Sequence, residues 1–186
     1  NCNPLDTYQA LGGSSTYIIM SPTTQTGGTL TLNFIAATLN RYFYGLVTDP
    51  TYGFPVPGQT YVIQYNFTVA TTRIIQIWFG QQSFAGVPSI TIPSGTTSGT
   101  ATITWGASAS GWFTIRATNG TNMTSVMTMT VTPDCTQPVT YYDCGDLSPH
   151  TIYIAPGDTV NVCSAAGHLP EGNIELELIE DCGCIE

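Results

Sequence analysis

The side chains best suited to chemistry in this sequence are aromatic and amide groups. Carbohydrate sites pair flat aromatic faces with polar groups that hydrogen-bond the sugar hydroxyls. Six residues of these types lie in runs with strand character and are the predicted carbohydrate contacts: Trp78, Gln76, Trp112, Arg116, Tyr42 and Tyr44. Tyr52 and Phe84 are further candidates for the same platform. The alternative is that the tryptophans are structural, packed in a core or against another subunit.

The sequence lacks the residue combinations that catalysis needs. A glycosidase needs two carboxylates beside the scissile bond, yet only Asp6 and Asp49 precede residue 134. Serine hydrolases need a histidine beside the nucleophile, but His150 and His168 both fall in the acidic C-terminal segment. The protein is therefore predicted not to be an enzyme. A histidine within reach of both a serine and a carboxylate would reverse that prediction.

Cysteine spacing favours disulfide bonds over a metal centre. All six cysteines are disulfide candidates: Cys2, Cys135, Cys144, Cys163, Cys182 and Cys184. Structural zinc sites use wider cysteine pairs than Cys182-Gly183-Cys184, and the acidic residues do not match a calcium-binding loop. No metal or other cofactor is predicted, and an oxidising, extracellular environment is favoured. Cys2 either closes onto the C-terminal segment or bridges to a neighbouring copy.

Charge is distributed unevenly along the chain. There is no lysine, and the three basic residues other than histidine are Arg41, Arg73 and Arg116. The twelve acidic residues bring the net charge to −9, and ten of them follow residue 133. Nucleic-acid binding and attraction to anionic membranes both need basic residues, and no apolar run is long enough to span a bilayer. The sequence thus predicts no nucleic-acid partner and no membrane insertion and disfavours an anionic membrane surface, and the acidic block indicates a solvated face.

Strands with a two-residue period organise the chain. The clearest lies at 61–69, where apolar residues fall at every second position and give one dry face and one wet face. Other alternating runs lie at 15–20, 29–35, 41–47, 73–79, 89–92, 99–105, 111–117 and 124–132. Short strands separated by Gly, Pro, Ser and Asn are typical of sandwiches. The sequence predicts an all-β fold, an antiparallel β-sandwich or jelly roll.

Composition divides the chain into three segments. Residues 1–14 have no period and are predicted to form an N-terminal arm, followed by a β-sandwich domain at 15–133. Residues 134–186 are predicted to form a small acidic, disulfide-stapled, Cys-rich β module. Its predicted strands lie at 138–143, 151–155, 159–163 and 173–180, with a turn at 156–158.

Three stretches resemble the jelly-roll carbohydrate-binding modules that are attached to polysaccharide-degrading enzymes. They are Pro57-Gly58-Gln59-Thr60-Tyr61, Ile92-Pro93-Ser94-Gly95-Thr96 and Ser110-Gly111-Trp112-Phe113-Thr114-Ile115. The resemblance spans about residues 29–132 and consists of turn and core positions. It therefore implies a fold more than a ligand.

The C-terminal segment resembles small cysteine-bearing β modules in structural and fibre proteins of tailed bacteriophages. The resemblance rests on Tyr141-Tyr142-Asp143-Cys144-Gly145, on Ile154-Ala155-Pro156-Gly157-Asp158-Thr159-Val160-Asn161-Val162-Cys163 and on Cys182-Gly183-Cys184. It implies a multi-copy component of a virion, such as a head-decoration, fibre or tail protein. A subunit of a cell-surface filament is the close variant.

The sequence thus predicts a non-enzymatic extracellular structural protein on a virion or cell surface. Its partners would be copies of itself and other surface proteins, joined through β contacts between chains. The alternative is a carbohydrate-binding or adhesion module whose exposed aromatic residues contact glycans. The two hypotheses differ in whether Trp78 and Trp112 lie on an open surface with polar neighbours.

Overall fold

The computed structural model describes residues 2–13, 17–37, 40–51, 53–80, 86–106, 110–142, 147–154, 158–165 and 169–172. The chain divides into two units, Asn1–Asp134 and Cys135–Glu186. The described parts of both units form strands and no helix, so none of them supplies a helix that could cross a membrane.

Strands of the first unit, in chain order, are β1 (Thr7–Gly13), β2 (Ile18–Ile19), β3 (Thr24–Gln25), β4 (Leu30–Ala37), β5 (Arg41–Thr48), β6 (Thr60–Phe67), β7 (Arg73–Trp78), β8 (Ser89–Ile92), β9 (Ser98–Thr104), β10 (Trp112–Gly120) and β11 (Met123–Pro133). They build two sheets. The front sheet has the order β3-β1-β5-β10-β7-β8, and the back sheet has the order β2-β4-β11-β6-β9.

All pairings within the two sheets are antiparallel. Consecutive strands from β1 to β7 alternate between the front and back sheets. Most paired strands are therefore distant in sequence, as in Greek-key and jelly-roll connections. The predicted all-β antiparallel sandwich is confirmed.

The core lies between the sheets and is built by the predicted alternation. In β6, Tyr61, Ile63 and Phe67 are buried while Gln64 and Asn66 are exposed. The front sheet supplies Phe43, Ile75, Ile77, Phe113 and Ile115, and the back sheet supplies Leu30, Leu32, Met127, Met129 and Val131. Burial of these apolar side chains is the main force holding the two sheets together.

The N-terminal segment differs from the predicted arm, because residues Thr7–Gly13 form β1 of the front sheet. Its anchor is Tyr8, which is completely buried and packs edge-on against Phe113, with ring centroids 6.2 Å apart. The pairing with β5 shifts register between Ala10 and Gly12. Such a bulge interrupts the two-residue period, which explains why the sequence showed no strand pattern there.

The Tyr8 hydroxyl lies near the Val131 backbone but has no hydrogen-bond partner of good geometry among the described residues. A buried hydroxyl without a partner stabilises little. We therefore expect Tyr8→Phe to change the free energy of unfolding at neutral pH by no more than about 1 kcal/mol.

The same substitution should matter more in alkali. Burial raises the pKa of Tyr8 above its ordinary value of 10.0. Above that pH the unfolded chain loses the proton first, so wild-type stability falls as pH rises, and Tyr8→Phe should lose less. Urea unfolding at about pH 8 and about pH 11 measures the difference. An equal loss of unfolding free energy between the two pH values in wild type and Tyr8→Phe would show that Tyr8 is not the group responsible.

The second unit contains an antiparallel pair, β12 (Gln137–Tyr142) and β13 (Pro149–Ile154). Val139 of β12 is 1% exposed, and Thr140 forms a bridge with Glu171. Described residues 158–163 form no strand, so the predicted strand at 159–163 is wrong. Residues 158–161 are all exposed, so the alternating apolar side chains of this segment do not form a buried face that would stabilise a strand. Residues 156–157 and 173–180 lie outside the described part.

Cys2 and Cys135 both take part in disulfide bonding within the chain. Of the two alternatives for Cys2, the described structure has a bond inside the chain. Cys163 is exposed. Cys144, Cys182 and Cys184 lie outside the described residues, so their predicted disulfides stay predictions.

Candidate functional site

The outer face of the front sheet carries Arg116 at the centre of a row of polar and aromatic side chains. In the antiparallel register, Arg116 of β10 lies opposite Tyr42 of β5 on one side and opposite Gln76 of β7 on the other. Directly opposed residues project from the same face of a sheet. These three predicted contacts therefore stand side by side.

The next row along the strands contributes two further aromatic residues. Thr114 of β10 lies opposite Tyr44 of β5 and opposite Trp78 of β7. Trp112, two residues before Thr114, points to the same face and pairs with Leu46. All six predicted contact residues thus share one surface. We call them the platform: Tyr42, Tyr44, Gln76, Trp78, Trp112 and Arg116.

Each platform residue is partly exposed, whereas the alternate residues of the same strands are buried in the core. Trp78 and Trp112 therefore lie outside the sandwich core. Trp105, the third tryptophan, is 2% exposed and belongs to the core. The expectation that each of the two could sit on an outer face agrees with their observed positions.

Two of the platform aromatics present flat surfaces of nearly the same orientation. The rings of Tyr42 and Tyr44 are nearly parallel, with centroids 6.5 Å apart and planes inclined by 5°. Trp78 and Tyr44 flank Thr114, so their backbones are separated by two strand spacings, about 10 Å. An extended ligand lying across the strands would meet Trp78 and Tyr44 in succession.

The polar groups of this face divide into engaged and available ones. Thr118 Oγ1 donates to the Ile74 carbonyl at 3.3 Å, and Thr114 Oγ1 lies 3.4 Å from the Gly80 carbonyl. The Gln76 amide, by contrast, has no hydrogen-bond partner within the described part of the chain. The Arg116 Nε likewise has no hydrogen-bond partner there. Gln76 and Arg116 are therefore available to bind hydroxyl or anionic groups of a ligand.

Three residues of this face were not among the predicted contacts: Thr114, Leu46 and Ile74. Their alternation with core residues was visible in the sequence, but their adjacency to the aromatics depends on register across β5, β10 and β7. Register between distant strands leaves no local signal. The candidates Tyr52 and Phe84 lie outside the described residues.

A serine–histidine contact occurs in the second unit. Ser148 Oγ lies 2.9 Å from His150 Nε2, and the His150 ring stacks on Tyr141. No carboxylate of the described residues reaches His150, so the third member of a hydrolase triad is missing there. His168 lies outside the described residues. In that same part of the chain, no cluster of three or more His, Cys, Asp or Glu residues is arranged to hold a metal ion.

No protein-family model and no curated protein matches this chain. Among solved structures, one described as "CBM4 structure and function" has 14% identity and a TM-score of 0.34, covering 69% of this chain and 85% of its own. The carbohydrate-binding module CBM6cm-2 of Cellvibrio mixtus lichenase 5A, in complex with cellotriose, has 20% identity and a TM-score of 0.37. That alignment covers 68% of this chain and 97% of the module.

Proposed function

We propose that this protein is a non-catalytic carbohydrate-binding module whose ligand lies on the platform. The observation that carries the proposal is the register of β5, β10 and β7, which brings six residues from three strands onto one partly exposed surface. Partly exposed aromatic rings bind the apolar faces of sugars, and a few convergent polar groups fix the orientation of the ligand. This favours the alternative hypothesis from the sequence over a purely structural role.

Binding without cleavage follows from the absence of paired acids. Asp6 and Asp49 are the only carboxylates of the first 133 residues, and both carboxylates accept backbone N–H groups in loops, from Gly27 and Thr51 respectively. Neither belongs to the platform. Glycoside hydrolysis needs an acid and a second carboxylate on either side of the bond. An extracellular location agrees with the internal disulfide bonding.

Affinity electrophoresis in gels containing xylan, glucomannan, galacturonan or sulfated galactan tests the proposal. We expect retardation by at least one polysaccharide, and Trp78→Ala should weaken that binding about tenfold or more because stacking surface is lost. Gln76→Ala should also weaken binding. Gln64→Ala is the matched control, because Gln64 is an exposed mid-strand glutamine of the back sheet.

Thermal unfolding of each variant separates lost binding from lost folding. If Gln64→Ala weakens retardation as much as Gln76→Ala does, the platform is not the site. If wild-type protein shows no retardation in any gel or on a broad glycan array, the proposed function is wrong.

A second candidate function, assembly as a multi-copy surface component, is favoured by one observation. In the described sheets, β9 is the edge strand of the back sheet, and its seven residues contain no charge and no proline. Such an edge accepts an added strand from another chain. Light scattering of the purified protein tests this, since a stable monomer at all concentrations would count against assembly. The virion or filament role stays a prediction.

A further inference from the structure

The charges of the first unit are separated along the front sheet. Arg41 begins β5, Arg73 begins β7, and Arg116 lies in β10 next to Ala117, which pairs with Arg41. Arg73 pairs with Gly120 at the end of β10. All three arginines of the chain therefore gather at one end of this sheet, which we call the arginine end.

The three acidic residues of this unit, Asp6, Asp49 and Asp134, lie toward the other end. The Leu5 N–H bonds the Val131 carbonyl, so Asp134, three residues further along, comes to the end where Asp6 lies. Asp6 precedes β1, and its backbone N–H bonds the carbonyl of Thr48, where β5 ends; Asp49 follows directly. Arg116 pairs with Tyr42, six residues from Thr48, so the acids lie about 20 Å away along the strand. That is more than twice the Debye length of about 8 Å in physiological salt. Three arginines and three aspartates give this unit a formal net charge of zero, yet the separation leaves one end of the front sheet cationic.

Arg41 and Arg73 strengthen the positive potential from the core side of the sheet. Arg73 is 2% exposed, and the Arg41 Cζ lies 4.0 Å from the ring centroid of Tyr17. Burial, and then the charge of Arg41, lower the pKa of Arg73, so the two guanidinium groups are close enough to interact. An arginine remains charged at physiological pH despite such a shift.

Arg116 is the member of this group that belongs to the platform. Its Cζ lies 5.1 Å from the ring centroid of Tyr42, which holds the guanidinium against a flat surface. Within the described residues no carboxylate pairs with Arg116, and its buried Nε has no hydrogen-bond partner. A planar guanidinium held in this way matches a carboxylate or sulfate through paired hydrogen bonds.

We propose that the platform binds an acidic saccharide whose carboxylate or sulfate lies against Arg116 at the arginine end. This inference rests on the proposed function and adds the chemical class and the direction of the ligand. The anionic group is held by Arg116 with Gln76 beside it. The uncharged sugars extend toward Trp78, Tyr44 and Trp112.

A matched pair of ligands tests the inference without altering the protein. Oligogalacturonide and its methyl ester differ in the charge of each carboxylate, and sulfated galactan and its desulfated form make the same comparison for sulfate. By isothermal titration calorimetry at low salt, we expect one acidic member to bind about tenfold or more tightly than its neutral partner. Added salt should shrink the difference. The pair showing the difference identifies the anionic group.

Arg116 variants test the assigned contact. Arg116→Gln should abolish most of the acidic preference, and Arg116→Lys should keep part of it, because lysine retains the charge and loses the paired geometry. If Arg116→Gln does not fold, the ligand pairs still give the answer. Equal binding of charged and neutral members by the wild-type protein would overturn this inference and leave the proposed function intact. Failure to bind any saccharide would overturn both.

Discussion

A Gly45→Ala variant is expected to lose about 3 kcal/mol of unfolding free energy, or to fail to fold. Gly45 lies in β5 opposite Phe113 of β10, and a Cβ atom built on it would overlap the Phe113 ring. That ring cannot easily move, because it is completely buried and packs against Phe43 and Tyr8. The loss is measured by urea unfolding. The dependence of the unfolding free energy on urea concentration should be the same in both proteins, so that the shift in midpoint reports stability alone.

Two further variants make the Gly45 prediction specific. Gly106→Ala is the matched control, because a Cβ atom there would meet its nearest neighbour, Pro88, at an ordinary 3.5 Å. Phe113→Leu opens space above Gly45, so the double variant should be more stable than the sum of the single losses indicates. Strictly additive losses, or an equal loss in Gly106→Ala, would show that the contact with Phe113 is not the cause.

A Trp105→Ala variant should destabilise the protein by about 3–5 kcal/mol through the cavity it leaves. Trp105 packs edge-on against Tyr61 of the back sheet at 5.6 Å and against Phe79, the residue after β7, at 5.7 Å. Its backbone also exchanges hydrogen bonds with Gly58 and Gln59. One side chain therefore joins both sheets at this end of the sandwich. The expected fall in melting temperature is about 10 °C.

Trp112→Ala provides the comparison for Trp105. Trp112 is partly exposed on the platform, so its removal should cost less than half as much stability and should weaken glycan binding instead. Calorimetric melting and affinity electrophoresis of the two variants separate the roles. Equal destabilisation by both substitutions would mean that Trp112 is a structural residue, as the alternative from the sequence held.

The faces of the strands could be predicted from the sequence, because a two-residue period assigns each side chain to the core or the surface. The period placed Gln76 and Trp78 on one face of their strand, and likewise Trp112 and Arg116 on one face of theirs. It did not place Tyr42 beside Arg116, because they are far apart in the chain and only the register of β5 against β10 makes them neighbours. The platform as a surface is therefore a tertiary property.

The structural role of two strand glycines could not be predicted from the two-residue period either. Gly45 and Gly99 each lie opposite an aromatic residue, Phe113 and Tyr65, whose side chain occupies the space of the missing Cβ. In the sequence, both glycines interrupt a strand and weaken its signal. The reason for each glycine, space for the aromatic ring opposite, can be identified only when the partner strand is known.

The alternation of strands between the sheets also governs when the fold can form during synthesis. The front sheet is joined through β10 and the back sheet through β11, since β10 lies between β5 and β7 and β11 lies between β4 and β6. These two central strands are the last of the sandwich to leave the ribosome. Until they emerge, each sheet consists of separate halves with long loops to close, and such non-local pairing is slow. The platform, which needs Trp112 and Arg116 from β10, consequently cannot form until nearly the whole sandwich has been synthesised.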